Sequence, residues 1–191
     1  MPASMAESAL PFPRGRTAGD GELSLDDTTL QDLEGKRYVV DDDVHNTGLP
    51  VVLMVVKNDT GAAITVARKF GEFSAADTYD MGRRLGQFPA NTEGAIAVPL
   101  DDKYTVGQSI PDDDLFYVIL KGPVSVLAAA TVVNLAAHIP VMTSSTGVVA
   151  DAAAPTAGSF VIGTLAYAAS YVAGAAVVVL ADCEALKKSP A

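Results

Sequence analysis

The residues that could do chemistry are few and clustered. Asp41, Asp42 and Asp43 precede His45, and carboxylates beside an imidazole are donors a metal ion accepts. Adjacent residues of an extended chain point to opposite sides, however, so neighbours rarely converge on one ion. The stretch also lacks the alternating acidic spacing and closing Glu of a calcium loop. Asp112, Asp113 and Asp114 fail the same test. Both clusters are expected to be solvated turn residues.

The two histidines, His45 and His138, raise the question of a nucleophile–His–acid triad in a chain with many Ser and Asp. No G-x-S-x-G elbow accompanies them. His138 lies in an apolar run just before Pro140 and is expected to be a half-buried structural residue. The single Cys183 sits between Asp182 and Glu184, whose charges raise a thiol pKa and disfavour a reactive thiolate. It is expected to be an incidental tail thiol. Arg68–Lys69 and Arg83–Arg84 read as solvated or helix-terminal charge. The Asn58-Asp59-Thr60 sequon has meaning only in a secreted chain. No Walker loop, dinucleotide fingerprint, H-E-x-x-H or paired Cys motif is present. The sequence therefore assigns no catalytic, cofactor-binding or metal residue, and a non-enzymatic protein is expected.

The elements that would carry these residues point to a β-rich domain. The chain has 191 residues, and 49% are hydrophobic, mostly Ala and Val, with no Trp. Such side chains suit tightly packed sheets better than a wide aromatic cavity. The formal net charge of -10 argues against nucleic acid and anionic membrane surfaces as partners. One cysteine allows no internal disulfide, which fits a reducing compartment. The N-terminus shows no signal peptide, since Pro11 and Pro13 fall where an apolar run should be.

Residues 1–35, rich in Pro and Gly, read as a flexible N-terminal arm, with one short helical turn over Ser24–Leu33. Residues 36–182 read as a β-rich domain and 183–191 as a tail. Within the domain, Arg37–Val40 and Val51–Lys57 are strand candidates. Asn58–Gly61 supplies tight-turn chemistry, so Val51–Lys57 and Ile64–Phe70 are expected to form a hairpin. Ala75–Leu85 reads as a short helix capped by Ser74 and ended by Gly86. Gly94–Val98 is a strand, and Leu115–Lys121 is a strand closed by Gly122-Pro123. Ile139–Met142 and Val148–Ala150 flank a Gly-containing loop and predict a hairpin.

Phe160–Ala181 is uncharged over a length that could span a bilayer. Its Ala, Gly and Ser content gains little from lipid, and its flanks lack the usual positive signal. It divides instead into a Phe160–Leu165 strand, a Ser170–Gly174 turn and an Ala175–Leu180 strand, both strands buried. The expected architecture is mainly β: a small sandwich or barrel-like domain with an extended arm and at most one or two short helices.

Several blocks resemble tailed-phage head decoration, or capsid cement, proteins. Val56-Lys57-Asn58-Asp59-Thr60-Gly61 followed by Ile64–Lys69 is similar to their "KN-x-T-G" opening. Tyr104–Gly107, Ile110–Val118 and Lys121-Gly122-Pro123 resemble their "DLFW-V-x-x-GP" block. Ile139–Val141, Gly147–Ala150 and Ile162–Ala166 are similar to their closing strands. The resemblance spans roughly Arg37 to Leu180 and implies a homotrimer that binds the major capsid protein on the outer surface of the virion. Under it the chain is made in the bacterial host cytoplasm and contacts neither nucleic acid nor membrane. Two other readings follow from the residues: a membrane-anchored protein using 160–181, and a small β-sandwich ligand-binding module with Tyr167 and Tyr171 as its aromatic cue.

Overall fold

The computed structural model describes residues 9–19, 32–74, 83–90, 97–129, 132–135, 137–143, 149–151, 160–161, 163–166, 169–183 and 187–188. Among them the protein is mainly β and carries no α-helix. The strands are β1 (Arg37–Asp41), β2 (Pro50–Asn58), β3 (Ile64–Thr65), β4 (Phe70–Phe73), β5 (Arg84–Gln87), β6 (Ala97–Pro99), β7 (Ser109–Ile110) and β8 (Leu115–Leu127). They continue as β9 (Val132–Leu135), β10 (Pro140–Thr143), β11 (Val149–Asp151), β12 (Phe160–Val161), β13 (Gly163–Leu165), β14 (Ala169–Tyr171), β15 (Ala176–Asp182) and β16 (Lys187–Lys188).

A ten-stranded sheet organises the molecule in the order β11-β10-β13-β15-β8-β2-β5-β4-β6, with β1 also paired to β2. β1 runs antiparallel along the first half of β2, while β5 joins its far end in parallel at Lys57 and Asn58. One end of this sheet curls round. Beyond β6, Leu100 bridges Val118 of β8, and the Asp101 N–H donates to the Tyr117 carbonyl at 3.2 Å. The path β8–β2–β5–β4–β6 thus returns to β8 and closes a small barrel. The other end stays open as β15, β13, β10 and β11.

Long β8 belongs to both parts. Its first half, Leu115 to Leu120, is buried throughout, as expected of a strand covered on both faces. That half pairs with β2; residues Lys121 to Leu127 pair with β15. Gly122 lies at φ +119, and a Cβ there would stand 2.7 Å from the Pro50 carbonyl oxygen. The expected stop at Gly122-Pro123 is therefore a change of partner inside one strand. Pro123 lies two residues beyond Lys121, the last residue paired with β2, so its missing N–H costs that ladder nothing.

The core is one cluster, centred on Phe70, Leu85, Phe116, Tyr117 and Leu53. The β10–β11 hairpin forms in the predicted place. The 51–57/64–70 hairpin does not: β3 pairs with β7, and β2 takes β1, β5 and β8 as neighbours. Arg84 and Leu85, at the end of the expected helix, lie in β5, as does Gly86, and Arg83 lies in a turn before it; residues 75–82 fall outside the described residues, as do Ser24–Leu33 apart from its last two and Tyr167.

The uncharged 160–181 stretch contributes strands to different partners. β12 pairs with β16, β13 with β10 and β15, β14 with β9, and β15 with β8. The expected single strand Phe160–Leu165 is thus two, and the expected turn at Ser170 opens inside β14. β15 is buried on one face only, through Val177, Val179 and Ala181. No helix among the described residues is long and apolar enough to cross a membrane.

Residues 9–19 depart from a flexible arm, because they bring their own apolar and charged anchors. Phe12 is 3% exposed and stacks on Tyr117 with ring centroids 4.3 Å apart. Ala18 donates its N–H to the Leu115 carbonyl at 3.0 Å. Cys183 is likewise buried rather than free in a tail, and Lys187–Lys188 beyond it form β16.

Candidate functional site

Two polar nodes brace the barrel. The first is a corner at the end of β2. Asn58 is fully buried, and its Nδ2 donates to the carbonyls of Ala62 (3.0 Å), Ile110 (3.2 Å) and Pro111 (2.9 Å). Its Oδ1 accepts from Thr60 Oγ1 at 2.8 Å. The backbone joins in: Asp113 N–H donates to Asn58 O, and Asn58 N–H donates to Asp114 O, each at 2.9 Å. This node turns the chain away from β2, which is why no hairpin forms. It also leaves no free amide for a glycan.

Asp112 and Asp113 are exposed turn residues, as expected, Asp114 is half-buried, and each of the three has its own partner at this corner. Asp112 Oδ1 accepts from Gly61 N–H at 3.1 Å, and Asp113 pairs with Lys57 Nζ at 2.7 Å. Asp114 Oδ1 accepts from Gly19 N–H at 2.9 Å and from Leu115 N–H at 2.8 Å. The Lys57 ammonium, through its hydrogen bond and its charge, holds the Asp113 carboxyl below its usual range.

The second node gathers residues remote in sequence. Asp42 is a local hub: it accepts from the N–H groups of Val44 (3.1 Å), His45 (2.9 Å) and Thr47 (2.9 Å), and from Thr47 Oγ1 (2.7 Å). Burial works to raise its pKa, but these donors outweigh it and hold the carboxyl at about 2. The turn they define folds His45 back over Asp42, with Nδ1 at 3.4 Å from Oδ1. His45 Nε2 then meets Asp102 Oδ2 at 3.1 Å and Ser125 Oγ at 2.9 Å. The Ser125 N–H completes the link by donating to Asp102 Oδ2 at 2.8 Å.

Alongside it, Arg14 forks onto Asp101 through Nε (2.8 Å) and Nη2 (2.6 Å) and reaches Asp43 at 3.2 Å. Both the Arg14 and Asp101 side chains are almost wholly buried. Lys103 also pairs with Asp43. Tyr104 Oη donates to the Arg16 carbonyl and accepts from the Tyr117 N–H, and Tyr117 Oη donates to the Phe12 carbonyl, each at 2.9 Å.

The expectation that Asp41–Asp43 and His45 are merely solvated is thus corrected for Asp42, Asp43 and His45. A turn, unlike an extended strand, can bring i and i+3 together. The resulting chemistry is that of a clamp. Ser125 beside His45 has the look of a nucleophile and base, but Asp102 claims the Nε2 proton. Asp102, by hydrogen bond and then by charge, raises the His45 pKa against the opposing effect of burial. A protonated imidazole has no lone pair to take a proton from Ser125. Asp42 and Asp102 approach opposite ring nitrogens and share no point where an ion could sit. No group of three or more His, Cys, Asp or Glu among the described residues is placed to hold one.

Other sequence candidates are scattered. His138 is exposed, at φ +64. Arg83 and Arg84 hold residue 34, through the Glu34 carbonyl (3.2 Å) and carboxylate (3.3 Å). Tyr171 is half-buried against the core. Sequence reading missed Arg14, Asp101, Asp102 and Ser125; the adjacent acids at 101–102 were the one available signal. A shallow apolar trough of about 300 Å³ lies beside the second node, lined by Leu49, Pro50, Val52, Lys121, Gly163 and Leu180 among others.

No family model matches the chain, and no curated protein does. Among solved structures, the N base of the head fiber gp8.5 of bacteriophage phi29 is similar over 70% of this chain and 95% of that one, at 16% identity. The TM-score is 0.38, too loose a likeness to carry an inference about this chain.

Proposed function

We propose that the protein is a structural component of a phage virion, a cement protein that binds the major capsid protein on the outer face of the head as a homotrimer and has no catalytic role. The observation that carries this reading is the Asn58 corner. The blocks 56–61 and 110–118, which resemble decoration proteins, interlock through Asn58, Gly61 and Lys57 by bonds that span 51 positions or more. Their resemblance therefore falls on one three-dimensional unit rather than on unrelated short strings. Many weak contacts repeated over a lattice would give such a protein avidity for a capsid.

The reading predicts a particle of three times the 19.6 kDa protomer mass in sedimentation equilibrium, and virions that lose head-surface density when the chain is missing. A strictly monomeric protein that does not co-sediment with capsids would overturn it.

A further inference from the structure

His45 ties together three stretches of chain. It sits on the loop between β1 and β2, reaches the turn after β6 through Asp102, and touches the far half of β8 through Ser125. We propose that loop 42–49 is a proton-held clasp: protonated His45, lodged between Asp42 and Asp102, fixes the loop against β8, and loss of that proton releases the loop and reshapes the apolar trough beside Leu49.

The groups facing the ring are few. Asp42 comes from its own loop, Asp102 from the turn after β6, and neutral Ser125 from β8. Asp43 is engaged by Arg14 and Lys103. The His45, Asp42 and Asp102 side chains are 8%, 1% and 7% exposed, so solvent screens their interaction poorly. Removing the proton leaves two carboxylates facing each other across a neutral ring. A neutral Nε2–H can still donate to Asp102 or Ser125, but Asp42 then keeps only its hydrogen-bond donors from Val44, His45 and Thr47 and loses the cation on the Nδ1 side.

The direction of the effect is fixed by the ring's raised pKa, caused first by the Asp102 hydrogen bond. Stabilisation of the closed loop is complete below the ordinary histidine value of about 6.5 and is lost as pH rises through the higher folded value. Val44 and Leu49, 39% and 43% exposed, ride on the loop, and Leu49 with Pro50 forms one wall of the trough. Their surroundings should change with His45 and not with bulk pH.

Methyl NMR of the full chain from pH 5 to 9 tests this. The Val44 and Leu49 methyls should titrate with the His45 ring protons, at one midpoint above about 6.5, the ordinary histidine value. The buried Val126 methyls should stay put. His45→Gln should abolish the methyl titration, Asp102→Asn should lower the ring midpoint, and His138→Gln should change neither. Methyls that stay flat through the His45 titration of the wild-type protein overturn the proposal without any variant, and so does a methyl titration that survives in His45→Gln.

Discussion

The two halves of β8 are the same strand held by different physics. Around Leu115–Leu120 the chain is irregular: short strands, an arm and several turns meet, and each exposes backbone groups that no ladder satisfies. Side chains fill the gap, with Asn58, Asp114, Tyr104 and Tyr117 each bonded to the backbone of a distant segment. Around Lys121–Leu127 the partner is β15, in unbroken register from Ala176 to Asp182. The ladder satisfies the backbone facing β15, and on the other side only Ser125, held by Asp102 and His45, draws on a polar node, so most side chains there need only pack. The difference fits the lack of charge in β15 up to its last residue, Asp182. It also says that the barrel should fail through lost polar anchors and the open sheet through lost fit.

The largest expected effect is in the barrel. Tyr117 is fully buried, stacks on Phe12 and bonds its carbonyl, so Tyr117→Ala removes core volume and the dock for the arm together. A loss of about 4–5 kcal/mol is expected in denaturant unfolding, at the upper end for aromatic truncation. A loss below about 2 kcal/mol would mean the arm contributes nothing to the barrel.

Arg14→Ala follows. It strands Asp101, whose side chain is fully buried, at an expected cost of about 3 kcal/mol near neutral pH. The figure sits at the low end for a broken buried pair because Asp101 can escape by taking a proton: burial already raises its pKa despite Arg14. The variant should therefore recover stability as pH falls, and Asp101→Asn should restore part of the loss in an Arg14→Ala background. Additive effects of the two substitutions would show that the pair does not act as a unit.

Gly163→Ala sharpens the comparison from the other side. A Cβ at this position of β13 would press into the Leu180 carbonyl, backbone atoms of β15 that cannot swing away. An overpacking cost of about 1–3 kcal/mol is expected. Hydrogen exchange should show β13 and β15 losing protection while β2 and the first half of β8 keep theirs. Equal loss in both regions would make the molecule one cooperative unit and erase the distinction drawn between them.

What the sequence disclosed follows the same division. β2, β8, β10, β11 and β15 were legible because each is an apolar run bounded by turn residues. Their partners were not. Asn58-Asp59-Thr60-Gly61 has hairpin composition, yet the Asn58 side chain spends its amide on Ala62, Ile110 and Pro111, and no local rule foretells a bond across 52 or 53 positions. Gly122-Pro123 carries stop chemistry but marks an exchange of neighbours. Arg14, between Pro13 and Gly15, looks solvated until Asp101 and Asp43 are brought to it. His45 stands out in the sequence as a metal donor, which the structure does not bear out, and the alternation argument that sets it aside holds for strands and not for the turn built on Asp42.

The smallest expected effect is the most direct check on the contrast, since it repeats the Arg14 experiment where the theory says charge should not matter. Lys121 and Asp182 face each other across β8 and β15 at 4.0 Å, with side chains 55% and 45% exposed. An exposed pair gains little Coulomb energy in water and spends side-chain entropy to hold its geometry. Lys121→Ala should cost less than about 1 kcal/mol, and that small loss should shrink further in high salt. Arg14→Ala, in contrast, should depend little on salt because solvent ions do not reach Asp101, its bidentate partner, and only the exposed Asp43 contact is screened. If Lys121→Ala instead destabilises as much as Arg14→Ala, the open sheet relies on charge as the barrel does, and the separation of the two halves of β8 by their physics is lost.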